Sequence, residues 1–292
     1  MEWPVHSPPL ADTDIPIWHV YYLGACRAPS DPTMIWGTDV DVTGLDDYLQ
    51  DVNRQSASLV SPAHVLVRAV ASAIRLHPEI NRRVIGSRVY RFKQINVMMA
   101  LFNRWRPGGG NVVIERADEL SLGDVAAELW RLHEASMRNP PRPPASPRLE
   151  RIKRFAARHM VPLYLWFVNN INQPALGEHA AEHGAGVHVN YIATRNLAPL
   201  QMYKASRFPC ETCLTNVTMG AAEKRPAVIN DQIVIRKIAP LFVRSDHRII
   251  DASQLGPFVA SLRRFLMEPA LMEGAARIEP ADAGADKISR AA

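Results

Sequence analysis

Residues 239–251 read Ala-Pro-Leu-Phe-Val-Arg-Ser-Asp-His-Arg-Ile-Ile-Asp. The pattern predicts a strand over 238–244 that runs into a turn at His247, followed by an amphipathic helix over about 253–267. A side chain at such a turn can project into a cleft, so His247 is a candidate catalytic residue. Asp251 follows four residues later, where it can cap the helix and hold the turn. A histidine beside an aspartate is more often structural than catalytic, so this pair alone does not decide the function.

Strand and helix patterns are interleaved along the rest of the chain. Thr43 predicts the cap of a short helix, Ser61-Pro62 the start of a longer one that Pro78 ends, and Ser121 the cap of a third. Strands are predicted over 34–42, 88–92, 95–102, 112–114, 187–193, 213–218, 227–229 and 233–236, with a hairpin-like turn at Asn230-Asp231. Short turns join many of these strands, which favours an α+β fold: a two-layer sandwich of a mixed sheet with helices packed on one side.

Composition divides the chain into three regions. Residues 1–33 are proline-rich without a clear period, which predicts an extended N-terminal arm. Residues 34–274 carry the periodic elements and predict one domain, with an atypical segment at about 140–185 that begins with a proline-rich break. Residues 275–292 are rich in alanine and glycine, which predicts a flexible tail.

The composition is that of an ordinary globular protein. The 292 residues include 34 Lys+Arg and 29 Asp+Glu, giving a net charge of +5, with 47% hydrophobic and 22% charged residues. These values exclude a disordered chain, a collagen-like chain and a disulfide-stapled miniprotein. The basic blocks, such as Arg82-Arg83 and Arg263-Arg264, are short and read as solvated faces, so no nucleic-acid partner is expected.

Cysteine use and the absence of targeting signals predict a soluble, cytoplasmic protein. Cys26, Cys210 and Cys213 cannot form a disulfide framework, and the N-terminus lacks a signal-peptide pattern. The basic, then apolar segment 149–170 could touch a membrane surface but is more typical of a lid or a packing helix. No metal site is expected, because the Cys210–Cys213 pair has no second pair. Glycines also interrupt the cluster Glu178-His179, Glu182-His183 and His188.

Three segments together resemble a known family. Asp246-His247-Arg248-Ile249-Ile250-Asp251-Ala252 is similar to the signature Asp-His-Arg-x-x-Asp-Gly of the catalytic domain of dihydrolipoyl acyltransferases of 2-oxo acid dehydrogenase complexes. This family is related in fold to chloramphenicol acetyltransferase. The hairpin that begins Lys224-Arg225-Pro226 and the helix end His77-Pro78-Glu79-Ile80-Asn81 resemble the same family in the same order. The resemblance covers residues 34–270.

The resemblance implies direct acyl transfer without an acyl-enzyme. His247 would be the general base, Asp251 would organise the turn, and a hydroxyl contributed across a subunit interface would stabilise the oxyanion. The family pattern Thr-x-Ser-Asn-Leu-Gly corresponds here to Ala193-Thr194-Arg195-Asn196-Leu197-Ala198. Either Thr194 supplies the hydroxyl, Arg195 replaces it with a charged donor, or the donor is lost; Thr215 is a less well aligned alternative.

The same resemblance implies substrates and an assembly. The acyl donor would be a coenzyme A thioester, used as a co-substrate rather than a tightly bound cofactor, or an acyl carrier protein. The acceptor would be a small-molecule thiol, hydroxyl or amine, and the protein would form a homotrimer with intersubunit active sites. The N-terminal arm is too short for a lipoyl domain, so a stand-alone acyltransferase is expected. The alternative is a catalytically impaired homologue that serves as a scaffold or binding protein.

Overall fold

The computed structural model describes residues 33–85, 88–101, 110–138, 184–192 and 213–275, together with residues 146, 148, 152 and 160. Within these ranges lie nine strands and five helices. The strands are β1 (Thr33–Asp41), β2 (Arg82–Ile85), β3 (Arg88–Arg91), β4 (Val97–Leu101), β5 (Gly110–Ile114), β6 (Val187–Tyr191), β7 (Thr215–Met219), β8 (Glu223–Ile229) and β9 (Gln232–Asp246). The helices are α1 (Leu45–Gln55), α2 (Pro62–Leu76), α3 (Leu122–Arg138), α4 (Ala252–Met267) and α5 (Leu271–Ala275), with a 3₁₀ turn at Pro78–Ile80.

A mixed seven-stranded sheet forms the centre of the part of the chain that the structure describes. Its order is β1-β9-β7-β6-β4-β5, and β8 pairs with the first half of β9. The pairs β7–β6 and β6–β4 are parallel, whereas the other neighbours are antiparallel. Strands β2 and β3 form a separate two-stranded sheet. The mixed sheet with its packed helices confirms the predicted α+β class.

Helix α2 is the central helix of the core. Pro62 occupies its first position, and the backbone N–H of Ser61 donates to Nδ1 of His64 at 2.9 Å. All ten residues from 65 to 74 are buried, which is why this segment has no solvent-facing stripe. Helix α2 packs against α4 and reaches strands β4 and β6. The predicted start of this helix at Ser61-Pro62 is therefore confirmed.

The β8–β9 hairpin corrects one strand prediction. The expected strands over 233–236 and 238–244 are a single strand, β9, because Ile238 pairs with β8 on one side and β1 on the other. Polar residues interrupt the apolar pattern at this point but are held by partners: Arg236 Nε lies 2.6 Å from Asp41, and the Lys237 N–H donates to Thr43 at 2.8 Å. The turn at Asn230-Asp231 is confirmed, since both residues have positive φ values (51° and 60°), as a type I′ hairpin requires.

Two further expectations were wrong. Thr43 does not cap α1: the helix begins after Gly44, and the Thr43 hydroxyl donates to Asp41 at 2.6 Å. Arg82 and Arg83 are not on a solvated face, because both are buried in β2. This strand was not predicted, since two successive charged residues do not match the pattern of a buried strand. Long arginine side chains can bury their aliphatic stems in this way.

Several regional predictions lie outside the described residues. These are the N-terminal arm over 1–33 apart from Thr33, most of the atypical segment at about 140–185, and the tail over 275–292 apart from its first residue. Among the helices that the structure describes, none is long and apolar enough to cross a bilayer.

Candidate active site

His247 lies in the turn that joins the sheet to α4. Strand β9 ends at Asp246, α4 begins at Ala252, and the His247 side chain is exposed. Its Nδ1 lies 3.2 Å from the carbonyl oxygen of Ile250. Because a carbonyl oxygen only accepts hydrogen bonds, Nδ1 carries the proton in this contact, and the neutral ring then holds its lone pair on Nε2. The turn thus selects the tautomer that a general base needs.

The residues on either side of His247 form a buried ion pair. Arg248 binds the Asp246 carboxylate in a bidentate manner, with Nε at 3.0 and 3.2 Å from the two oxygens and a terminal nitrogen at 2.6 Å. The Arg248 backbone N–H also donates to this carboxylate, at 3.1 Å. The Asp246 side chain is 5% exposed and that of Arg248 is 15% exposed. The pair fixes the chain immediately before and after His247, which restricts where the imidazole can lie.

Asp251 caps α4, as the sequence predicts. Its carboxylate accepts hydrogen bonds from the backbone N–H of Ser253 at 2.8 Å and of Gln254 at 3.3 Å, and from the Ser253 hydroxyl at 2.5 Å. The Gln254 side chain accepts in return from the Asp251 N–H at 3.3 Å. This reciprocal capping box fixes the end of the turn that presents His247. Ala252, which stands where the family signature has glycine, is the first helical residue and has no positive φ.

The capping role of Asp251 gives a prediction about stability. Asp251→Ala should lower the free energy of unfolding by about 1 kcal/mol, because two backbone N–H groups lose their acceptor. Asp251→Asn keeps an acceptor oxygen and should lose only a few tenths of a kcal/mol. Urea unfolding followed by circular dichroism measures both variants. Equal losses for alanine and asparagine would contradict the capping role.

The structure tests only part of the predicted oxyanion donor set. Thr194 and Arg195 lie outside the described residues. Thr215 is 0% exposed, and it shares the strand face of Val217 and Met219, which belong to the hydrophobic core. A hydroxyl on that face does not reach an external substrate. The less well aligned alternative, Thr215, is therefore disfavoured.

A polar network on the opposite sheet face was not predicted. Asn216 on β7 donates to Nδ1 of His188 on β6 at 2.9 Å, and its amide oxygen accepts from Thr218 at 3.0 Å and from Asn190 at 3.2 Å. These residues alternate with core valines along both strands. This alternation of polar and apolar residues with a period of two is the sequence signal from which the polar face of the sheet could have been predicted. One sheet face thus packs the core while the other carries hydrogen-bonding groups.

The histidine and cysteine positions that were weighed as metal ligands have other contacts where they are described. His188 bonds Asn216, and the Cys213 thiol is buried and donates to the Ala185 carbonyl at 2.9 Å. Cys210, His179 and His183 lie outside the described residues. Within the described ranges, no group of three His, Cys, Asp or Glu residues is arranged to hold a metal ion.

Comparison with known families identifies the family to which the chain belongs. The family model "2-oxoacid dehydrogenases acyltransferase (catalytic domain)" matches residues 28–143 and 212–273, which is more than half of the chain and includes the His247 turn. The chain belongs to this acyltransferase family. The resemblance noted from the sequence and the expected acyltransferase class are thereby confirmed at the level of the family. Thr194 and Arg195 lie in the interval that the family model does not match.

Individual relatives agree with the 2-oxoacid dehydrogenase acyltransferase assignment. The acetyltransferase component of the pyruvate dehydrogenase complex from Rickettsia bellii (strain RML369-C), a dihydrolipoyllysine-residue acetyltransferase, is 23% identical over 247 residues, which is 82% of this chain and 48% of that protein. A second component of this type, from Zymomonas mobilis, is 21% identical over 82% of this chain and 45% of its own length. The chain thus spans about half the length of these two relatives.

Solved structures confirm the chloramphenicol acetyltransferase-like fold. The Azotobacter vinelandii dihydrolipoamide acetyltransferase has a TM-score of 0.59 at 16% identity, and the match covers 91% of this chain and 99% of that chain. That structure was used to investigate the catalytic roles of a serine, a histidine and an asparagine, and the asparagine lies four positions after the histidine. A probable dihydrolipoamide acetyltransferase from Listeria monocytogenes 4b F2365 has a TM-score of 0.58 at 20% identity, with 89% and 93% coverage. Chloramphenicol acetyltransferase has a TM-score of 0.51 at 11% identity, with 89% and 99% coverage.

Proposed function

We propose that this protein transfers an acyl group from a coenzyme A or carrier-protein thioester to a thiol, hydroxyl or amine of a small molecule, with His247 as the general base. The observation that carries the proposal is the hydrogen bond between His247 Nδ1 and the Ile250 carbonyl, which leaves Nε2 as the proton acceptor. The His247–Asp251 spacing supports it, since the histidine and asparagine of the Azotobacter protein have the same spacing.

The reaction balances with His247 as the only proton carrier. Nε2 accepts the proton of the acceptor group as that group attacks the thioester carbonyl, and a tetrahedral oxyanion forms. The oxyanion collapses with cleavage of the C–S bond, and the leaving thiolate takes the proton from Nε2. Thr194 or Arg195 is the proposed oxyanion donor, supported by their alignment with the family's Thr-x-Ser-Asn-Leu-Gly segment.

The test is release of free thiol from a panel of acyl-CoA donors in the presence of thiol, alcohol and amine acceptors. Wild-type protein should release thiol in an acceptor-dependent manner, and His247→Ala should not. If both proteins are equally inactive across the panel, the scaffold or binding role replaces catalysis. The three cysteines of the chain fit a reducing compartment, and we place the reaction in the cytoplasm.

The hairpin of β8 and β9 supports the homotrimer that the family implies. Val228 pairs with Ile233, and Pro226 with Ile235, so these four residues share one face. The exposed fractions of Val228, Ile233 and Ile235 are 72%, 80% and 73%. Such a concentration of exposed aliphatic side chains is typical of an interface. We assign this face to contacts between copies of the chain.

The assignment of the hairpin face predicts a change in oligomeric state. Ile233→Lys should shift the protein from trimer to smaller species in light scattering coupled to gel filtration, because a buried lysine without a partner is costly. Leu59→Lys is the matched control, since Leu59 is equally exposed (80%) but belongs to the loop before α2 and not to the hairpin. A trimer that survives Ile233→Lys, or a wild-type monomer, would contradict the assignment.

A further inference from the structure

Two arginines face each other across the small β2–β3 sheet. Arg82 and Arg91 are directly opposite in the antiparallel register, so their side chains lie on the same face. Arg82 is 8% exposed, and Nε of both residues is buried without a hydrogen-bond partner. Like charges in this arrangement repel one another and destabilise the pair of strands. Replacing one of the two arginines by a neutral residue would therefore stabilise the protein if no anion bound between them.

The local carboxylates do not neutralise this pair. Asp118 is bound to Arg75 at 3.2 Å, and Glu119 to Arg116 at 2.5 Å. Glu79 is the acidic group that acts on Arg82, and it also lies 3.7 Å from Nδ1 of His77. Burial and the charge of Arg91 lower the pKa of Arg82, and Glu79 offsets this only in part. Among the described residues, neither Arg82 nor Arg91 forms an ion pair within 4 Å.

A cavity of about 320 Å³ lies beside the arginine pair. Its wall includes Arg91, Lys93 and Asn81, along with the Arg75–Asp118 and Arg116–Glu119 ion pairs. Lys93 is exposed and has no ion pair within the described ranges. The three cations Arg82, Arg91 and Lys93 together with the carboxylate of Glu79 give a net charge of +2 beside the cavity. A phosphate monoester carries about −1.5 to −2 charges at pH 7, which matches that excess.

We infer that the β2–β3 arginine pair and the adjoining cavity form a binding site for a phosphate monoester. Arg91 and Lys93 line the cavity, and Arg82 lies opposite Arg91 on the same strand face, next to the cavity residue Asn81. A planar guanidinium group offers paired donors to phosphate oxygens, and Lys93 adds a further cation. The remaining cavity volume accepts the body of a phosphorylated small molecule. This inference does not rest on the proposed acyl transfer. The phosphate could belong to coenzyme A, which carries a 3′-phosphate, or to a separate phosphorylated metabolite.

The test measures binding of inorganic phosphate to the full chain by calorimetry and by thermal shift at constant ionic strength. Wild-type protein should bind phosphate saturably, and Arg91→Gln should weaken binding by at least about tenfold. Arg82→Gln is the second variant, and Arg131→Gln, on the exposed surface of α3, is the control and should bind like wild type. Without phosphate, Arg91→Gln should unfold at the same or a higher Tm than wild type, because it removes the repulsion.

Two outcomes would overturn the inference. One is the absence of saturable phosphate binding to wild-type protein. The other is an Arg91→Gln variant that loses stability without phosphate yet binds phosphate as wild type does, which would mark the arginines as structural. Coenzyme A and dephospho-coenzyme A, titrated in parallel, identify the source of the phosphate. Loss of affinity for both phosphate and coenzyme A in Arg91→Gln, with unchanged affinity for dephospho-coenzyme A, supports the site and assigns it to the acyl donor. Unchanged coenzyme A affinity with lost phosphate binding supports the site and assigns it to another metabolite.

Discussion

The His247→Ala variant is expected to lose transfer activity by about 10²- to 10⁴-fold in kcat. The physical reason is that the alanine variant has no imidazole to accept the proton of the attacking group. The surrounding turn should keep its structure in this variant. The turn depends on the Asp246–Arg248 pair and on the Asp251 cap, neither of which involves the imidazole. Thiol release from acyl-CoA at saturating acceptor measures the effect.

The matched control for this loss is His133→Ala on α3, which removes a half-buried imidazole beside Trp130 from a different helix. It should keep wild-type kcat. Because His247 is exposed, His247→Ala should also keep the wild-type unfolding midpoint, so that its lost activity cannot be assigned to lost folding. Equal rates for wild type and His247→Ala would remove His247 from the mechanism.

Local sequence chemistry predicts the fold well where one residue type satisfies a specific backbone need. Ser61-Pro62 begins α2 because proline loses no hydrogen bond in the first turn, and Asn230-Asp231 forms the hairpin turn because both residues tolerate positive φ. Asp251 is identified as a cap for a similar reason, since a short carboxylate reaches the free N–H groups of α4. Each of these signals is carried within a few residues of the feature it specifies.

Features that depend on distant partners were not predictable in this way. Lys237 interrupts the apolar pattern of β9, and the contacts that hold it within the strand come from distant segments, including the Thr43 hydroxyl almost two hundred positions earlier. Arg82 reads as a surface residue until its register with Arg91 and its burial are known. The His188–Asn216 bond joins two parallel strands whose pairing no local signal specifies. The sequence therefore predicts the roles of His247 and Asp251, which lie in one short segment. It does not predict the polar network on the sheet face, whose residues come from separate strands.

The ion pair around His247 gives the largest expected effect on stability. Arg248→Gln should lower the free energy of unfolding by about 3 kcal/mol, because the Asp246 carboxylate, 5% exposed, loses its bidentate cation. Arg131→Gln is the matched control: Arg131 binds Glu128 with equally short contacts of 2.6 and 2.7 Å, but the two side chains are 65% and 31% exposed. A pair exposed to water contributes little, so this control should unfold close to the wild-type midpoint.

A double variant separates the cost of leaving the Asp246 carboxylate unpaired from the net contribution of the Asp246–Arg248 ion pair. Asp246→Asn together with Arg248→Gln removes the buried charge as well as its partner, so it should recover much of the stability that Arg248→Gln loses. Unfolding in urea must be compared at one protein concentration, because the proposed association of copies of the chain would add to stability. Equal losses for Arg248→Gln and Arg131→Gln would show that burial does not strengthen the pair. If the double variant is stable yet slow in transfer, the pair positions the His247 imidazole in addition to stabilising the turn.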